Sequence, residues 1–226
     1  MQKTTPIIFQ DDWRGYDLEN FSYERQYFPY LKSVLIPRGI INDRIERLAS
    51  DILYTMSCKT AGCEQTDEII CLCILKGGHQ FLVQLVNELS NLNKHTSIGL
   101  PIRFEFIRLK SYINEQSHDL KITGDDMLSE INDKPVLIVE DIIDTGRTME
   151  LFLKHIEHYR PRSVSVACLL YKRNPQNIYH YKPEFVGFEI PKRFVVGFGL
   201  DYNEHFRDLS HVCVINEEAI ARFKSA

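Results

Sequence analysis

The chain has 226 residues and a mass of 26.5 kDa, enough to bury one full core as a single domain spanning 1–226. Lys and Arg number 27 against 31 Asp and Glu, a net charge of −4, which excludes the global basic footprint of a nucleic-acid-binding chain. No apolar run approaches the about 20 residues of a membrane span. Near the start, Asp11, Asp12, Asp17 and Glu19 stand where a secretory signal would be basic and then apolar, so the expected setting is cytoplasmic, without membrane or nucleic-acid partners.

In chain order, Ile41, Ile45, Leu48 and Ile52 form one apolar stripe at helical spacing, with Asn42 near its start. Ile69 to Leu75 is a continuous apolar run that suits a strand buried on both faces, as in a parallel sheet. Lys76-Gly77-Gly78 ends it, and Phe81, Leu82, Leu85, Val86 and Leu89 restore helical spacing. Ile102, Phe104 and Phe106 alternate with Arg103, Glu105 and Ile107, the pattern of a strand with one wetter face.

From Ser111 to about Lys134 the periodicity fails, and a polar stretch of that length reads as a lid or binding loop. Val136 to Val139 is a second doubly buried strand, followed by a helix from about Thr148 to Tyr159 and a third buried strand from Val164 to Leu170. This rhythm predicts an α/β fold, an open, twisted, mainly parallel sheet flanked by helices, with ligands at the carboxyl ends of the strands. Four of the six cysteines, Cys71, Cys73, Cys168 and Cys213, fall in apolar runs, and no CxxC is present. Reduced core thiols are expected, not a zinc site. His155 and His158 have no acidic third ligand near them in sequence and read as surface histidines.

The chemistry concentrates where the strand Val136–Val139 runs into Glu140, Asp141 and Asp144, then Thr145, Gly146, Arg147 and Thr148 at a helix start. A helix start offers unpaired N–H groups and a positive dipole end, and Gly146 allows close backbone approach, so Thr145 to Thr148 can cradle a phosphate monoester. Glu140 and Asp141 would repel a bare phosphate; their partners are hydroxyl groups or a hard cation such as Mg²⁺. Capping alone could use one acid at a helix start, but three exceed that need. A sugar diol beside a phosphate describes ribose 5-phosphate. The stretch is not a Walker loop, and Gly197-Phe198-Gly199 lacks the third glycine of a dinucleotide fingerprint.

VLIVEDIIDTGRTM, beginning at Val136, resembles the phosphoribosyl-pyrophosphate signature of the type I phosphoribosyltransferases, in the form found in their hypoxanthine-guanine branch. Five further stretches carry the same resemblance: VLIPRGIINDRIERLA at Val34, LKGG at Leu75, FIRLKSY at Phe106, LLYKR at Leu169, and FVVGFGLDYNEHFRDLSHVCVI at Phe194. The resemblance implies a purine-salvage transferase joining hypoxanthine or guanine to phosphoribosyl pyrophosphate. It implies that Glu140 and Asp141 hold the ribose diol directly or through Mg²⁺. The ribose-phosphate segment is then Glu140, Asp141, Ile142, Ile143, Asp144, Thr145, Gly146, Arg147 and Thr148, with the 5-phosphate on Asp144 to Thr148 and Asp144 also taking a proton from the purine ring.

Lys76, Gly77, Gly78 and Arg207 would serve pyrophosphate, and the Leu75–Lys76 bond can be cis in the family. Lys172 would donate to the C6 oxygen of the base, which favours 6-oxopurines over adenine. Phe194 would stack on the ring, Val195 would meet its edge, Arg193 would belong to the same pocket, and Asp201 would ligate a second Mg²⁺. Ser111 and Tyr112 would open a lid over 111–134, and a hood would form from about 1–33 and 172–226. A homodimer or homotetramer is also implied. The same motifs would suit a non-catalytic sensor of the nucleotide, against which Asp144 argues. Departures from the family pattern are Arg147 for a frequent Lys, Gly199 for a frequent Ala, His79 for an aromatic, and an apparent insertion at 60–65.

Overall fold

The computed structural model describes residues 4–60, 68–95, 100–111, 120–177 and 181–224. Strand β1 (Ile7–Ile8) is followed by β2 (Leu31–Ile36) and helix α1 (Arg38–Thr60). The stripe Ile41, Ile45, Leu48 and Ile52 is buried as its spacing predicts, but α1 begins four residues before Asn42 and runs well beyond Ile52. Pro37 sits just before the first helical residue, where its fixed φ favours helix entry. Met56, fully buried, continues the stripe.

β3 (Ile69–Leu75) and α2 (Gly78–Lys94) follow, then β4 (Ile102–Ser111), β5 (Leu120–Thr123), β6 (Pro135–Ile143) and α3 (Arg147–Ile156). The chain closes with β7 (Ser163–Arg173), β8 (Phe185–Pro191), β9 (Val195–Val196), β10 (Val212–Ile215) and α4 (Glu217–Arg222). Seven strands form one sheet in the order β1-β8-β7-β6-β3-β4-β5. Every neighbouring pair is parallel except β4 with β5. The expected α/β architecture is present. The apolar runs of β3, β6 and β7 are buried because helices cover both faces: α1 and α2 pack over Cys71, Leu137 and Leu169 on one side, α3 over Leu72, Ile138 and Val166 on the other.

Three expectations change. The stretch from Ser111 to Lys134 is not uniformly irregular: β5 pairs with the end of β4, from Arg108 opposite Thr123 to Ser111 opposite Leu120. Gly124, with φ +87°, then turns the chain into a 3₁₀ segment, Asp125–Ile131, that buries Leu128 and Ile131. The wetter face of β4 is the aromatic one. Phe104 and Phe106 are 51% and 39% exposed, while Arg103 on the other face pairs with Glu105 and Glu130 over that 3₁₀ segment.

The hood is also smaller than 1–33 plus 172–226. β1 and β8 join the main sheet, because Phe185, Val186, Phe188 and Ile190 make β8 a doubly buried strand. The separate sheet is β2-β10-β9, built around Val34, Val196, Phe206 and Cys213. Among the described residues no helix is long and apolar enough to cross a membrane. Tyr112, most of the segment 60–65 and Cys63 lie outside the described residues.

Candidate active site

Because β3, β6 and β7 are parallel neighbours, their carboxyl ends open on one edge of the sheet. That edge gathers Lys76-Gly77-Gly78 after β3, Glu140 to Thr148 at the end of β6, and Lys172 at the end of β7. Glu140 and Asp141 lie within the strand and only Asp144 beyond it: β6 continues through the first two acids to Ile143, with Glu140 opposite Cys168 and Ile142 opposite Leu170. Strand pairing therefore fixes the two carboxylates by register.

Glu140 and Asp141 are poorly solvated. Burial, and then the neighbouring charge of Asp141, pushes the Glu140 carboxyl well above its usual range. Burial pushes Asp141 up to about 6, opposed by hydrogen bonds from backbone N–H groups; the N–H of Ile142 donates to its Oδ1 at 2.8 Å. Glu140 Oε2 is buried and has no hydrogen-bond partner among the described residues. Two desolvated carboxylates with an orphaned oxygen suit a cation or a pair of hydroxyl donors. Mg²⁺ fits this donor set, since it is held by one or two carboxylates with water and phosphate oxygens completing the shell. Among the described residues no three His, Cys, Asp or Glu side chains gather as a ready-made cage.

Next to the acids the chain turns at Gly146, φ +76°, and enters α3 without any side-chain cap. The first-turn N–H groups of a ten-residue helix thus face a cavity of about 280 Å³ lined by Glu140, Ile142, Ile143, Asp144, Thr145, Gly146 and Thr148. Arg147 is the first helical residue. Asn177 backs this loop. A Cβ on Gly146 would lie 3.0 Å from Asn177 Oδ1, and Asn177 Nδ2 donates to the Tyr171 hydroxyl at 3.0 Å.

Asp144 is held from β7. Lys172 Nζ lies 2.7 Å from Asp144 Oδ2, and Asn174 Nδ2 donates to Oδ1. The Asn174 amide has one orientation open to it, since its own Oδ1 accepts the N–H of Gln176 at 3.0 Å. Asn174 is a site residue that no sequence motif marks; it stands just past the end of β7, two positions after Lys172, with Pro175 next.

The glycine turn after β3 is packed to contact. The Leu75–Lys76 bond is cis. A Cβ on Gly77 would lie 1.6 Å from Asp141 Oδ2, and one on Gly199, φ +92°, would lie 2.4 Å from the Gly77 carbonyl. Gly78 begins α2, where a Cβ would meet the Val139 carbonyl at 3.0 Å. These glycines bring the hood loop, the Lys76 turn and the acids together. Arg207 joins them: it donates to the Gly199 carbonyl at 2.7 Å and pairs with Asp201 at 2.7 Å.

Phe194 is 49% exposed and meets Tyr202 edge-on at 5.1 Å, leaving an aromatic face at the rim. Val195 is buried in β9, opposite Val214. Arg193 lines a cavity together with Phe194. Its guanidinium donates to the carbonyls of Asp11 and Trp13, tying down the N-terminal segment. Ser111 ends β4. Cys71, Cys73, Cys168 and Cys213 are buried free thiols, raised by burial and unreactive, Cys71 to about 12. His158 is exposed, while His155 is half-buried against it and Tyr159.

A parallel sheet whose carboxyl edge joins paired acids to an uncapped helix start defines a class: the chain belongs to the phosphoribosyl transferase family, whose domain model matches residues 39–203. Within it, the chain is 48% identical over 220 residues to the hypoxanthine-guanine phosphoribosyltransferase of Homo sapiens, covering 97% of each chain. It is 47% identical over 224 residues to that of Bos taurus, covering 99% of each. The crystal structure of the Schistosoma mansoni enzyme in complex with IMP superimposes with a TM-score of 0.83 at 39% identity, over 98% of this chain and 100% of that one.

Proposed function

We propose that the protein salvages purines by transferring the 5-phosphoribosyl group of phosphoribosyl pyrophosphate to hypoxanthine or guanine, releasing pyrophosphate and IMP or GMP. The observation that supports this most is the adjacency of Glu140 and Asp141, with an orphaned oxygen, to the uncapped start of α3. The acids suit the ribose hydroxyls, and the helix start with Thr145 and Thr148 suits the 5-phosphate.

In the reaction the bond from ribose C1 to a pyrophosphate oxygen breaks, its electron pair leaving with pyrophosphate. A ring nitrogen of the base bonds to C1, and Asp144 takes the proton the ring gives up. Lys172 serves the C6 oxygen, exchanging the Asp144 carboxylate for a carbonyl oxygen of the base. Adenine would meet Lys172 donor to donor, a mismatch that leaves buried polar groups unpaired. Phe194 stacks on the base, Val195 meets its edge, and Lys76, Gly77, Gly78 and Arg207 receive the leaving group. Glu140, Asp141 and Asp201 are the carboxylates that would hold Mg²⁺, which supplies neutralisation of charge on pyrophosphate when bound. Ser111 and Tyr112 begin a lid that keeps water from the sugar cation. The protein works in the cytoplasm as a homodimer or homotetramer.

The test mixes purified protein, Mg²⁺ and phosphoribosyl pyrophosphate separately with hypoxanthine, guanine, xanthine and adenine, and measures each monophosphate. Turnover with hypoxanthine or guanine and none with adenine is expected. Binding of phosphoribosyl pyrophosphate with no product from any base would make the protein a sensor.

A further inference from the structure

Lys76 and Arg207, the two cations proposed above for pyrophosphate, already share an anion of the protein's own. Glu204 Oε2 lies 2.8 Å from Lys76 Nζ and 3.5 Å from Arg207 Nη2. Lys76 follows β3, whereas Glu204 and Arg207 stand in the loop between β9 and β10, so one carboxylate ties two distant parts of the chain across the mouth of the site.

The backbone of Glu204 is fixed by a tight turn. Asn203 and Glu204, with φ of 49° and 69°, are the two central residues between Tyr202 and His205, whose N–H and carbonyl groups bond each other at 3.1 Å. The Glu204 N–H donates to Asp201 Oδ2 at 2.7 Å, and Asp201 Oδ1 pairs with Arg207 at 2.7 Å. The carboxylate end is different. The Glu204 side chain is 55% exposed and Lys76 49% exposed, and ion pairs in that setting are weak and readily exchanged.

We infer that Glu204 is a displaceable stand-in for a pyrophosphate oxygen. In the free enzyme it occupies Lys76 and Arg207 and keeps both loops together; when a diphosphate arrives, its side chain turns to solvent and yields the two cations. It thereby lowers the affinity of the site for pyrophosphate and eases release of that product. The inference rests on the assignment of Lys76 and Arg207 to pyrophosphate.

Calorimetric titration with magnesium pyrophosphate tests both levels, using the full chain and the variants Glu204→Gln, Lys76→Ala and Arg207→Ala. Glu204→Gln should bind pyrophosphate about two- to fivefold more tightly, the gap narrowing at high salt as screening weakens the competing pair. Lys76→Ala and Arg207→Ala should each bind it more weakly. If the two cation variants weaken binding while Glu204→Gln leaves it unchanged or weaker, the stand-in role is wrong and the pyrophosphate assignment survives. If neither cation variant weakens binding, the assignment itself is overturned and the stand-in role goes with it.

Discussion

Lys172 Nζ lies 2.7 Å from Asp144 Oδ2, joining the ends of β7 and β6 across the mouth of the sheet. Lys172 is 10% exposed in its side chain and Asp144 45%, so the cation is fixed in the wall while the carboxylate reaches into the open site. Asn174 holds the second oxygen. A carboxylate steadied in this way would stay aimed if Lys172 transferred its hydrogen bond to the C6 oxygen proposed for it.

Asp144→Asn should keep the size of the side chain and remove the proposed proton acceptor, while turning its amide nitrogen toward one of the two donors, Lys172 or Asn174. The expected loss in turnover is about 10²–10⁴-fold, with little change in the dissociation constant of phosphoribosyl pyrophosphate. Steady-state kinetics beside equilibrium binding separate the two quantities. Near-normal kcat would end the assignment of Asp144 as the base.

Lys172→Ala acts on selection. It removes the donor proposed for the C6 oxygen and leaves Asp144 with Asn174 alone, so kcat/KM for hypoxanthine and guanine should fall while the discrimination against adenine shrinks. Competition between hypoxanthine and adenine measures the ratio directly. An unchanged ratio would move the recognition of the C6 substituent to another residue.

Much of this edge was legible in the sequence because its cause is local. The apolar run Ile69–Leu75 is a strand with those bounds, and the acids followed by Thr-Gly-Arg-Thr mark a strand that ends at a helix start. What escaped depends on distant pairing. β1 and β9 have two residues each and β10 has four, too short for a period to show, and they exist because β8, β2 and one another supply partners. Asn174 reads as an ordinary turn residue until the parallel register of β7 with β6 brings it to Asp144. The partners of Arg193 are equally hidden from the sequence: the carbonyls of Asp11 and Trp13 that it binds belong to a segment about 180 positions earlier.

Gly77 offers a steric test of how closely the loops are packed. A Cβ there would lie 1.6 Å from Asp141 Oδ2, a contact that relaxes only if Asp141 or the turn moves. Gly77→Ala should destabilise the fold by about 1–3 kcal/mol and depress kcat/KM for phosphoribosyl pyrophosphate. Gly39→Ala is the control. Its Cβ would meet nothing within 4 Å, and in a helix alanine should add about 0.5–1 kcal/mol. Denaturant melts of the two variants should shift in opposite directions, and a stable, fully active Gly77→Ala would contradict the packing described.

His211 predicts how stability depends on pH. Its Nδ1 accepts the N–H of Arg38 at 2.9 Å, at the first residue of α1, and its Nε2 faces the Ser22 carbonyl at 3.2 Å. Only the neutral ring with its proton on Nε2 satisfies both. Burial lowers its pKa below the ordinary 6.5, helped by the positive charge of Arg38 and opposed by the Ser22 carbonyl and Glu24. The unfolded chain therefore binds a proton that the folded chain refuses, so the contribution is complete above pH 6.5 and is lost as pH falls through the lower folded value. His211→Gln should be less stable at pH 7.5 but lose less on acidification. Urea unfolding from pH 7.5 to 5 measures both slopes. Equal slopes for the two proteins would show that His211 does not titrate with folding.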